Sequence, residues 1–137
     1  MKISARWQQG LKWLLLATFA SSVLHYIDNL LFFEQYPEPV WINRAIIDGF
    51  WFVMTPLALV GYHLMQRGAH QAGTWVLLAY AGCNLLTLGH YRYAYICTVV
   101  PRINAFIFLE AVLACLLTIH LILPYVTAMR SRKMTDE

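Results

Sequence analysis

Apolar residues run along this chain in four long stretches, each set off from the next by a short polar or proline-bearing break. A membrane-spanning helix needs about 20 mainly apolar residues. Four windows qualify: Leu11 to Phe33, Ile42 to Met65, Thr74 to Thr98 and Ile103 to Tyr125. The third is the least apolar, because Asn84, His90 and Arg92 interrupt it. The pattern predicts an all-α fold: a single domain over residues 1–137, built as an integral membrane bundle of four transmembrane helices.

The breaks are consistent with that reading. In Gln35-Tyr36-Pro37-Glu38-Pro39 two prolines hold the backbone extended and stop the first helix, and Asn43 then stands as an N-cap for the second. Arg67 to Gly73 is a polar turn with glycine near both ends, suited to an antiparallel helix pair. Pro101 separates the third and fourth spans with almost no loop expected, and the tail after Tyr125 is expected to fray. Pro56 lies mid-span, where it removes a backbone hydrogen bond and predicts a kink. Ala79, Gly82 and Cys83, with Ala111, Ala114 and Cys115, supply small residues for close helix packing.

Composition confirms the class. The chain is 60% hydrophobic and 12% charged, far from a soluble domain's profile. Its net charge of +3 comes from residues flanking the spans and carries no nucleic-acid footprint. Lys2, Arg6, Lys12, Arg67, Arg130, Arg132 and Lys133, seven of the ten Lys and Arg, fall at the end that holds both termini. The positive-inside rule then predicts both termini cytoplasmic, and the plasma membrane is the expected location. Trp7, Trp13, Trp75 and Tyr125 fall near the inner boundary, and Tyr36, Trp41, Tyr93 and Tyr95 near the outer one.

Lys2, Arg6 and the run Leu14 to Ala20 mimic a signal peptide. Thr18-Phe19-Ala20 is a poor cleavage site, however, and apolar character continues to Phe33, which favours an uncleaved span. Cys83, Cys97 and Cys115 are odd in number, scattered and without a CxxC spacing, so they read as small core residues.

Five ionisable residues inside the spans carry the candidate chemistry: His25, Asp28, Asp48, His90 and Glu110. A charge within the bilayer costs several kcal/mol unless it finds a partner or water. Counted at about 1.5 Å per residue, all five lie within one or two helical turns of a common plane in the outer half. They predict one pocket opening toward the outer face. His25 and Asp28, three apart, share a helix face, and Cys83, Thr87 and His90 form a polar stripe on the third span. Imidazole and carboxylate together suit a divalent metal (zinc, iron or manganese), with His25, Asp28, His90 and Glu110 as ligands, or a small cation. A purely structural reading stands beside this: Asp28 and Asp48 satisfied by water and by Arg44 or Arg102, His25 as helix glue, and Glu110 paired with Arg92. His63 and His120 lie at similar depth near the inner ends of their spans. They read as ordinary polar anchors, and a bis-histidine haem is not expected. Glu34 and Glu38 flank the proline-rich outer loop, either wet or funnelling cations to the pocket.

Glu38-Pro39-Val40-Trp41 leading into span two, Thr55-Pro56-Leu57 within it and Gln66-Arg67-Gly68 after it resemble the four-helix membrane proteins of the EXPERA group. That group includes the emopamil-binding sterol isomerases and the sigma-2 receptor. The resemblance covers the middle half of the chain. It implies a four-helix fold whose buried acids contact a cationic ligand or stabilise a sterol carbocation. His25 and His90 have no counterpart in it, so it assigns them no role. The element from His25 to Asn29 also looks like one in small bacterial membrane proteins and implies no activity.

Three functional classes stay open: a binding protein for a metal ion or small cation, an isomerase-like enzyme using Asp48 or Glu110 on a lipid-soluble substrate, and an accessory subunit of a larger membrane complex. The expected partners are the lipid bilayer and further copies of the chain or such a complex, with no nucleic acid. Four spans without an internal repeat do not suggest a conventional carrier or a continuous pore.

Overall fold

The computed structural model describes residues 4–135, with side chains described as far as Thr127. Four helices run through them: α1 (Ala5–Leu31), α2 (Arg44–Gln66), α3 (His70–Leu85) and α4 (Pro101–Thr135). No strand occurs among the described residues. All four helices, α3 together with its continuation, are long and apolar enough to cross a membrane. The chain is an all-α transmembrane bundle.

Local chemistry explains the helix ends. Ser4 caps α1 by accepting from the Trp7 backbone N–H at 3.2 Å. Asn43 caps α2 as expected, its side-chain oxygen accepting from Ile46 N–H at 3.0 Å. Gly68 ends the turn after α2 at φ 82°, a left-handed conformation that a side chain would penalise.

The third span departs from expectation. Its α-helix stops at Leu85 and tightens into a 3₁₀ stretch, Leu86–Arg92, so it ends well before Thr98. Residues 93–100 form a real loop where almost none was expected. Asn104 holds that loop by donating to the carbonyls of Ile96 at 2.9 Å and Val99 at 3.3 Å, while accepting from the Tyr91 hydroxyl at 2.8 Å. These bonds satisfy backbone groups that helix would otherwise have satisfied. α4, by contrast, runs on past Tyr125 to Thr135.

Antiparallel pairing follows from which residues meet. α2 packs chiefly on α3 and α1 on α4, while α1 and α2 touch only lightly. Between α2 and α3, a Cβ on Gly61 would fall 2.6 Å from the Leu77 side chain, and one on Gly73 would fall 2.8 Å from Met65. Glycine is therefore what lets these two helices close. Between α1 and α4, Pro124 has no N–H to offer the His120 carbonyl one turn back. The Trp7 indole donates to that carbonyl instead, at 3.1 Å, and His120 Nε2–H returns a bond to the Trp7 carbonyl at 3.0 Å. The two rings stack with centroids 4.7 Å apart. His120 is thus committed to a clasp between α4 and the start of α1, and His63 is exposed on α2.

The core gathers at two levels. Leu11, Leu15, Leu77, Tyr80, Leu117 and Leu121 fill the half nearer the termini, and Tyr36, Val99, Ile103 and Ile107 close the opposite end. Outward faces carry Phe52, Val53, Leu59, Val112 and Ile119, an apolar surface suited to lipid. The lightly packed α1–α2 seam is where the bundle leaves space. A cavity lies along its half away from the termini and an apolar groove along the half nearer them.

Candidate functional site

The cavity has a volume of about 450 Å³. Its walls are mainly apolar and aromatic, with Ile46, Phe50, Trp51 and Met54 from α2 facing α1. Polar residues enter from every direction: His25 and Asn29 from α1, Glu38 from the loop, Thr87, His90 and the exposed Arg92 from the 3₁₀ stretch, and Glu110 from α4.

His25 and Glu110 form the centre of this polar group. Both are buried, and a Glu110 carboxylate oxygen engages His25 Nδ1 directly. With Glu110 ionised, Nδ1 carries the proton and donates it to that bond. Thr87 Oγ1 stands 3.3 Å from the same nitrogen. The ring is further packed by Tyr36 at 5.6 Å and Phe106 at 6.5 Å between centroids. Its other nitrogen, Nε2, is buried with no hydrogen-bond partner. A carboxylate that orients an imidazole while leaving Nε2 open is an arrangement able to bind a polar group or exchange a proton with it.

A second imidazole–carboxylate contact lies alongside. His90 Nδ1 is 3.5 Å from Glu38 Oε1, and the His90 ring meets His25 edge-on at 5.7 Å. Asn29 Nδ2 donates to the same Glu38 oxygen at 3.2 Å. Burial pushes the Glu38 carboxyl above its ordinary range, opposed by the Asn29 bond and by nearby His25. Asn29 Oδ1 and Trp51 Nε1 are buried and unpartnered, and both residues line the cavity. Buried polar groups without partners are rare in a folded chain, and several beside one cavity mark where a ligand or water completes the bonding.

Asp28 sits above this level, outside the cavity wall. It accepts from Tyr36 Oη at 2.8 Å and from Arg102 Nε at 3.0 Å. Arg102 also donates to Gln35 at 3.2 Å and covers the Phe32 ring at 3.8 Å. Burial and the Asp28 carboxylate push the Tyr36 phenol upward, so it stays a donor. Tyr36 is thereby fixed against both histidines, its ring 5.6 Å from His25 and 5.4 Å from His90. Asp48 lies apart. It accepts from Tyr26 Oη at 2.5 Å, and Tyr26 stacks on Trp51 at 4.7 Å.

Of the five residues expected to converge, His25, His90 and Glu110 line the cavity, Asp28 supports it through Tyr36, and Asp48 does not reach it. Of Arg44 and Arg102, the arginines expected to satisfy Asp28 and Asp48, Arg102 meets Asp28, whereas Glu110 meets His25 where Arg92 was the alternative. Glu38 and Asn29 are site residues that the chain pattern did not single out for the pocket. Among the described residues, no group of three or more His, Cys, Asp or Glu is arranged to hold a metal ion. His25, Asp28, His90 and Glu110 do not form one ligand set, because Asp28 is turned to Arg102 and Tyr36.

In comparisons with protein families, curated proteins and solved structures, nothing matches the chain.

Proposed function

We propose that this membrane protein binds a lipid-soluble cationic amphiphile in the outer α1–α2 cavity, its ammonium group at the Glu38–Asn29–Glu110 end. The carrying observation is the acceptor-rich polar end of an otherwise apolar cavity of about 450 Å³, a volume typical of small-molecule sites. The buried Glu110 carboxylate, the half-buried Glu38 carboxylate and the open Asn29 Oδ1 all accept hydrogen bonds there, so a donor with positive charge suits them best. The apolar wall takes the hydrocarbon body, and Trp41, Tyr93 and Trp51 offer aromatic faces for the cation. This reading agrees with what the EXPERA resemblance implies. The engaged state of Asp28 favours an organic cation over a metal ion.

Binding of N,N-dimethyldodecylamine to the purified chain in nanodiscs should exceed binding of the neutral dodecyl methyl ether. Glu38→Gln should weaken the amine roughly 10- to 100-fold and leave the ether unchanged, as expected for one charged hydrogen bond. Acidification should release the amine. Because burial raises the Glu38 carboxyl above the usual glutamate range, its charge is lost at a higher pH than that of a surface glutamate. Glu38→Gln should therefore shrink the pH dependence of amine release. Equal affinity for amine and ether would overturn the proposal.

The open Nε2 of His25 supports a second reading, an isomerase-like enzyme that moves a proton on the bound molecule. Chemical change in a bound compound, lost in His25→Gln while binding persists, would favour it.

The proposal includes the membrane orientation: both termini cytoplasmic and the cavity in the opposite leaflet, at the plasma membrane. A single cysteine at exposed Glu34, in a chain lacking its native thiols, should react with an impermeant maleimide from outside intact cells. Labelling only after permeabilisation would reverse the orientation.

A further inference from the structure

The inner half of the α1–α2 seam holds a separate groove of about 300 Å³. Leu15, Leu16, Phe19, Ala58 and Leu59 make it apolar, and Lys12 and Tyr62 stand at the end nearer the termini. Lys12 to Phe19 spans seven residues of helix, roughly 10 Å, enough for the upper segment of an acyl chain. Lys12 is exposed and has no ion-pair partner among the described residues.

Charge makes the occupant specific. Asp28, Glu34, Glu38, Asp48 and Glu110 all lie at or toward the opposite end of the bundle, and the remaining acids are Asp136 and Glu137 in the tail. The end with the groove carries Arg6, Lys12 and Arg67 on or beside its helices and no acid among the described residues. An unpaired ammonium above a greasy slot, at a cationic boundary, matches a phosphate head above an acyl tail. Lysine suits this position because its stem can lie along apolar surface while its charge reaches the headgroups.

We propose that the inner α1–α2 groove binds one anionic phospholipid, with Lys12 on its phosphate and an acyl segment between Phe19 and Leu59. The site is independent of the outer cavity and of any ligand there. Bound lipid would fill the seam where the two helices touch least.

Native mass spectrometry of the full chain, released from detergent with dioleoylphosphatidylglycerol or dioleoylphosphatidylcholine, reads this directly. The wild type should retain one anionic lipid about fivefold more tightly than the zwitterionic one, the gain expected from one basic residue at a lipid surface. Lys12→Gln should bring that ratio to unity, and Arg67→Gln, at the same end but outside the groove, should leave it fivefold. Ala58→Phe, which fills the slot, should lose both lipids. The exposed position of Lys12 means its substitution leaves folding intact, so the ratio stays readable even if Ala58→Phe fails to fold. No preference in the wild type overturns the proposal. So does an Arg67→Gln effect equal to that of Lys12→Gln, which would assign the preference to bulk charge.

Discussion

Glu110→Ala should destabilise the bundle by about 1–3 kcal/mol, the usual cost of leaving a buried hydrogen-bonding group without its partner. The carboxylate is its ring's principal partner, and both groups are buried between α1 and α4. With Glu110 gone, both nitrogens of His25 would face the interior with only Thr87 Oγ1 nearby, at 3.3 Å from Nδ1. Glu110→Gln should cost less, since an amide oxygen still accepts from Nδ1–H. Thermal unfolding in detergent, followed by helical circular dichroism, measures the order wild type, Gln, Ala. Amine retention should fall in Glu110→Ala far more than in Glu34→Ala, because Glu34 is exposed and lines no part of the cavity. Equal melting of Glu110→Ala and the wild type would mean the pair is neutral to folding, and the cavity's polar end would need another organiser.

Much of the framework was legible because membrane burial writes itself into composition. Helix number, the Asn43 cap and the tight turn at Gly68 followed from apolar length and from backbone chemistry local to those residues. The stripe of Cys83, Thr87 and His90 also came through, since all three line the cavity. It survives the change of helix type for a simple reason. Residues four apart share a face in an α-helix, and residues three apart eclipse in a 3₁₀ turn.

Depth, however, is only one coordinate. Counting residues placed Asp48 at the right height but said nothing of its rotation about α2. Ile47, Trp51 and Met54 face the cavity, and Asp48, one residue round from Ile47, meets Tyr26 instead. Glu38 was hidden for a different reason. A loop residue's path depends on contacts distant in sequence, and only the bonds to Asn29 and His90 bring this carboxylate inward. The end of α3 was missed because the residues after Arg92 remain rich in apolar rings, while the bonds that hold them as loop come from Asn104 on another helix.

Asp28→Ala tests whether a residue outside the cavity governs what is inside it. Asp28 is the common acceptor for Tyr36 and Arg102, so its loss leaves the buried Tyr36 hydroxyl without its partner and the guanidinium held only by Gln35 and the Phe32 ring. The tyrosine bond should contribute about 1–3 kcal/mol once the buried hydroxyl is left unsatisfied. The arginine contact adds less, because the Arg102 side chain is 40% exposed and water screens it. The larger consequence is positional. Tyr36 stacks on His25 and meets His90 in a T-shaped contact, and a free Tyr36 would let both rings shift against Glu110 and Glu38. Amine affinity should therefore fall roughly tenfold in Asp28→Ala although the residue touches no ligand. Asp28→Asn keeps an oxygen for the Tyr36 hydroxyl and should retain most of that affinity while still weakening Arg102. If Asp28→Asn instead loses as much as Asp28→Ala, the ion pair with Arg102 is what orders the site, and Tyr36 follows it.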